Sequence, residues 1–140
     1  MEIAVVVIGD ELLIGQVVDT NSGDIARMVA PAGWTVRCVT TVHDDAAAIR
    51  EAIDDAMSKA DIVLTTGGLG PTKDDITKAT LRDIFGGEMV LDRGVLNHVK
   101  DVFKRRGLNM NRLTESQAMV PDSCKVIHNE LGTAPVMWFE

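Results

Sequence analysis

The sequence predicts an α/β protein in which a mostly parallel sheet lies between helical layers. Two observations carry this prediction. Residues 3–8 and 62–66 are near-continuous apolar runs rich in β-branched side chains, as strands covered on both faces require. Between and after them, apolar residues recur at helical spacing, so strands and helices alternate along the chain.

Taken in order, residues 3–8 form the first strand, ending at Gly9-Asp10. Residues 21–32 carry Ile25, Met28 and Val29 on one helical face, with Thr20 or Asn21 as cap and Pro31-Ala32-Gly33 as stop. Residues 34–42 read as a second strand. Asp44-Asp45 then opens a helix over 46–59 with an apolar stripe of Ile49, Ala52, Ile53, Ala56 and Met57. After the strand at 62–66, helices follow over 75–85, ended by Gly86-Gly87, and over 92–106, where Val95, Leu96, Val99, Val102 and Phe103 share a face. Residues 108–120 are polar and partly helical in pattern. Residues 125–128 suggest a short strand, and a loop over 129–135 leads into the apolar residues 136–139.

The 140 residues fit one domain with a full hydrophobic core. With Phe 3, Trp 2 and Tyr 0, that core is aliphatic. Lys+Arg 14 against Asp+Glu 21 gives a net charge of −7, which repels phosphate at long range and argues against nucleic-acid or anionic-membrane partners. Cys38 and Cys124 lie far apart and outside any C-x-x-C spacing, so a reduced, cytoplasmic chain is expected. The N-terminus has too few apolar residues for a signal peptide or membrane span. The chain stops just beyond an apolar segment, which reads as a longer gene product cut there.

The stretch TTGGLGPTKDD, residues 65–75, leaves the strand at 62–66. In open parallel sheets ligands bind beyond the carboxyl ends of the strands. Gly67, Gly68 and Gly70 let the backbone approach a ligand, and the helix that follows presents unpaired N–H groups, so phosphate or pyrophosphate fits. A tight turn with Thr72 and Asp75 as a capping box accounts for the same residues equally well. A divalent cation would reconcile an anion with adjacent aspartates: Mg²⁺ takes one or two carboxylates, which Asp74 or Asp75 could supply with Asp10, Glu11 or Asp19. Lys73 adds a cation for phosphate. His43, His98 and His128 show no ligand spacing and are expected to be structural.

Gly9-Asp10-Glu11-Leu12-Leu13-Ile14-Gly15-Gln16, then Asp19-Thr20-Asn21, TTGGLGPTKDD with Ile76-Thr77, Glu115 to Pro121 and Asn129 to Pro135 resemble the N-terminal domain of the competence/damage-inducible protein A family. That family belongs to the wider molybdopterin-binding group, and the resemblance covers almost the whole chain. It implies a three-layer α/β/α, MogA/MoaB-like fold with its pocket at the carboxyl edge of the sheet. It further implies that the loop matching Thr66 to Thr77 holds a phosphate and that the acid matching Asp75 is required in adenylyl transfer. Gly9, Asp10, Asp19, Asn21, Thr66, Gly67, Gly68, Gly70, Thr72, Lys73, Thr77, Asn129 and Gly132 are the expected ligand-binding residues.

Relatives in the family are associated with metal-dependent cleavage of ADP-ribose. That reaction would use Mg²⁺, Mn²⁺ or Co²⁺ held by Asp75 and Asp10, with Asp74 nearby and Glu11 placing or deprotonating water. Molybdopterin binding or adenylyl transfer, and a noncatalytic module regulating a nicotinamide-nucleotide amidase, are the alternatives. No amidase domain lies in these residues. Dimers or trimers are expected by the same resemblance. Two positions depart from the pattern: Leu69 stands where molybdopterin enzymes usually carry threonine, and Val136 where the family commonly has glycine.

Overall fold

The computed structural model describes residues 1–69 and 74–140, with the side chains of all of these except residues 74, 75 and 113. The chain divides into two compact units, Met1–Gly68 and Leu69–Glu140.

The first unit runs β1 (Glu2–Ile8), α1 (Asp10–Leu13), α2 (Asn21–Val29), a 3₁₀ turn (Ala30–Ala32), β2 (Thr35–Val42), α3 (Ala46–Lys59) and β3 (Ile62–Gly67). Its sheet has the order β2-β1-β3, and both pairings are parallel. The connection from β1 to β2 and the return from β2 past β1 to β3 run in opposite directions, so right-handed crossovers place α2 and α3 on opposite faces. β1 is therefore covered on both sides, which is why all six residues from Ile3 to Ile8 are apolar and buried. Ile3, Val5 and Val7 pack with Leu12, Ile25 and Val29 on one face. α3 buries Ile49, Ala52, Ile53 and Ala56.

Details depart from the sequence expectation. Helix α2 is shorter than expected, because the chain tightens after Val29 to a 3₁₀ turn that contains Pro31. Neither Thr20 nor Asn21 caps it through a side chain; Asp19 does, accepting the Ser22 backbone N–H at 3.1 Å and the Ser22 hydroxyl. Met28 is 78% exposed and Met57 43% exposed, so neither belongs to the core stripe expected of it. Beyond the end of the first strand, Gly9 leads directly into a one-turn helix, α1, that the sequence analysis did not mark.

The second unit contains α4 (Asp74–Phe85), β4 (Met89–Leu91), α5 (Arg93–Arg105), α6 (Arg112–Ser116), β5 (Met119–Pro121), β6 (Lys125–Ile127) and β7 (Val136–Trp138). Its strands pair β4-β5 and β6-β7, both antiparallel. The parallel sheet is thus confined to the first unit among the described residues. Val95, Val99 and Ala118 form the core here, with Leu96, Phe103, Met110 and Val126 against them. Phe85 and Phe139 stack with ring centroids 4.5 Å apart. Asp92, expected as the first helical residue of α5, is instead its cap and accepts the Val95 N–H at 2.8 Å.

Candidate functional site

In the first unit, strand register aligns the expected ligand edge. Ile8 is level with Val42 on one side and with Gly67 on the other, so the chain leaves all three strands in a row. Gly9 extends the ladder by one bond, donating its N–H to the Val42 carbonyl at 3.0 Å. The residues immediately beyond the strand ends, His43, Gly9 and Gly68, therefore lie side by side.

Asp10 begins α1 and joins two of these exits. Its Oδ1 accepts from the His43 ring Nδ1 at 2.9 Å and from the Asp44 N–H at 3.2 Å. In return, the Asp10 N–H donates to Asp44 Oδ2 at 3.2 Å. The two aspartates thus hold each other's backbone across 34 residues of sequence. Glu11 is exposed, and its carboxylate folds back over Gly9, where an added Cβ would meet Glu11 Oε1 at 2.8 Å.

A second connection crosses to β3. The Asn21 side-chain amide donates to the Thr66 hydroxyl at 2.8 Å, fixing the start of α2 to the strand end. Beyond Thr66, Gly67 and Gly68 adopt positive φ of 86° and 67°, turning the chain sharply at the sheet edge. Gly70, Thr72 and Lys73, and with them the proposed capping box, lie outside the described residues. Asp74 and Asp75 open α4, and their side chains lie outside the description as well.

The second unit carries the remaining expected residues. Thr77, in the first turn of α4, is 2% exposed, and its hydroxyl has no hydrogen-bond partner among the described residues. Next to it, Lys78 is also 2% exposed and donates to the carbonyls of Gln117 at 3.0 Å and Ser116 at 3.3 Å, at the end of α6. Asn129 organises the 129–135 loop: its Oδ1 accepts from Leu131 and Gly132 N–H, and its Nδ2 donates to the Ala134 carbonyl. The Gly132 carbonyl accepts from His98 Nε2 at 2.9 Å, and the His98 ring meets the His128 ring edge-on at 4.7 Å. A cavity of about 250 Å³ opens here, lined by Asp92, Val95, His98, His128, Asn129 and Pro135 among others.

Among the described residues no group of three His, Cys, Asp or Glu side chains converges as a metal site. Asp10, an expected ligand, spends Oδ1 on His43 and Asp44. The other acids expected to serve a metal, Asp74 and Asp75, fall outside the described side chains.

Comparison with known proteins places this geometry. The sequence matches the family described as "Probable molybdopterin binding domain" over residues 4–140. A solved structure of the protein CinA from Thermoplasma acidophilum superposes with a TM-score of 0.82 at 32% identity, covering 97% of this chain and 79% of that one. The chain belongs to the CinA family. A CinA-like protein from Flavobacterium psychrophilum is 42% identical across 100% of this chain and 34% of its own length. One from Cytophaga hutchinsonii is 44% identical across 97% of this chain and 32% of its own. The chain thus spans about a third of the length of these CinA relatives. The MoaB protein from Pyrococcus furiosus, a tungsten cofactor synthesizing protein, shares the fold at a TM-score of 0.58 and 20% identity. The α/β fold of this CinA-family domain is therefore of the MogA/MoaB type. No described helix is long and apolar enough to cross a membrane.

Three residues of interest were not singled out as site residues from the sequence. His43 and Asp44 follow a strand exactly as Gly9-Asp10 does, and that position was the available signal. Lys78 carried none, because burial of one lysine in a helix depends on what packs against it.

Proposed function

We propose that the domain binds a phosphorylated heterocyclic ligand, of the molybdopterin or nucleotide type, along the carboxyl edge of its parallel sheet. The observation that carries this reading is the row of strand exits ending at Gly67-Gly68. Two consecutive left-handed glycines leave that end of the edge without side chains, so backbone can meet a phosphate directly. The family to which the chain belongs is described by molybdopterin binding, which favours a pterin phosphate. Lys73, further along the sequence, would supply countercharge to a chain of net charge −7.

Cleavage of an ADP-ribose-type pyrophosphate is a second reading of the same edge, favoured by Asp10, Glu11 and Asp44 gathering there. It needs a divalent metal to polarise the phosphoryl oxygens, and Asp10 is the carboxylate of this edge that would hold it. Glu11 would then orient or deprotonate the attacking water.

Calorimetry with molybdopterin, AMP and ADP-ribose tests the binding reading, with and without Mg²⁺ or Mn²⁺. Phosphorylated compounds should bind, and their dephosphorylated counterparts should not. Absence of binding by every phosphorylated compound overturns the proposal. Chromatography of the same mixtures reads hydrolysis: AMP release from ADP-ribose that Asp75→Ala abolishes supports the second reading, and binding without turnover at any metal rejects it.

A further inference from the structure

His43 occupies a position that its exposure and its partner make useful. Its Nδ1 lies 2.9 Å from Asp10 Oδ1, and a carboxylate only accepts, so Nδ1 carries the proton. In the neutral ring this leaves Nε2 as a bare acceptor. The side chain is 62% exposed, and among the described residues no hydrogen bond engages Nε2. Asp10 is itself held by the Asp44 N–H, so the imidazole is oriented through Nδ1.

The sheet order sets the distance from this acceptor to the glycine turn. His43 leaves β2, Gly9 leaves the central β1 and Gly68 follows β3, so His43 and Gly68 stand two strand spacings apart. That span is roughly 10 Å. Resting on the reading of this edge as a phosphate-ligand site, we propose that His43 is a specificity residue for the end of the ligand far from its phosphate. Nε2 accepts a hydrogen bond from an N–H or O–H donor about two strand spacings, roughly 10 Å, from the phosphorus. Phosphate esters of nucleosides or pterins have that length and such donors. Inorganic phosphate has no group to offer there.

Three proteins and two probes test this. AMP and inorganic phosphate are titrated by calorimetry into the wild type, His43→Asn and His43→Gln. Asparagine keeps a donor for Asp10 but places nothing where Nε2 stood, whereas the glutamine amide reaches that place. The asparagine variant should bind AMP about three- to tenfold more weakly, the worth of one hydrogen bond, and phosphate as the wild type does. Glutamine should recover most of the AMP affinity. Nitrogen NMR of the wild-type ring should show protonated Nδ1 and a shift of Nε2 when AMP is added. If the wild type binds AMP and the asparagine variant binds it equally well, the role of His43 is overturned while the ligand edge stands. The role is likewise overturned if phosphate binding falls as much as AMP binding. If the wild type binds neither probe, the role of His43 toward nucleotides is overturned, and the ligand edge itself fails only if molybdopterin and ADP-ribose do not bind either.

Discussion

Gly67 and Ile8 lie so close at the end of the sheet that a Cβ on Gly67 would stand 2.0 Å from the Ile8 carbonyl oxygen. The oxygen belongs to the central strand and cannot move aside without disturbing both pairings. Gly67→Ala should therefore cost about 3 kcal/mol or more, combining left-handed strain with a backbone clash. Gly33 also has positive φ, but nothing lies within 4 Å of its added Cβ. Gly33→Ala should cost only about 1 kcal/mol. Urea denaturation of both variants checks the contrast, and equal losses would contradict it.

Lys78 is predicted to act as a structural tie. Its buried ammonium links α4 to the last carbonyls of α6. Truncation to Lys78→Ala leaves those carbonyls without this donor and opens a void, at a cost of about 2–3 kcal/mol. Lys78→Met keeps the stem, so it should lose less than the alanine variant in the same urea titration.

Asp92 should behave as an ordinary helix cap with one further duty. Its carboxylate accepts the Val95 N–H, and its own N–H donates to the Ala118 carbonyl at 2.8 Å. Only the first bond depends on the side chain. Asp92→Ala should therefore lower stability by about 1 kcal/mol, and Asp92→Asn by clearly less. Thermal unfolding followed by circular dichroism is sufficient to rank them.

Cys124 is predicted to be a sluggish thiol. Burial pushes its pKa up; the nearby Asp92 and Asp122 carboxylates add to this, while a backbone hydrogen bond and Lys78 oppose it. The folded state thus favours the protonated form. The resulting stability is fully present below the pKa of an unfolded thiol and is lost as pH rises through the higher folded value. Iodoacetamide should label Cys124 more slowly in native protein than in urea at pH 8.5, with mass spectrometry reading the site. Equal rates would refute the prediction.

What the sequence disclosed follows from how local each signal is. The apolar run Ile3 to Ile8 and the stripe from Ile49 to Ala56 are written within one element, and both are core. Strands β4 and β5 are three residues each and exist through each other, Val90 opposite Val120, so neither segment announces itself alone. The cap position of α2, Thr20, was legible, but the side chain that bonds the helix start is that of Asp19, because Asp19, Thr20 and Asn21 are all good cap residues and only backbone geometry chooses among their side chains. The glycine turn could be located from its strand. The Asp10–His43 contact could not, because it depends on strand order and on a register that shifts between Ile3 and Ala4.

The central place of β1 has a consequence during synthesis. It is made before either neighbour, and its first partner, β2, begins only at Thr35. At about 5–20 residues per second on the ribosome, the finished strand waits roughly one to five seconds for the first residue of that neighbour. Throughout that interval six consecutive apolar residues with high β-propensity have no sheet to enter. The segment that later contributes most to the core is thus the nascent chain's main adhesive surface, and the stretch a holding chaperone would have most reason to shield.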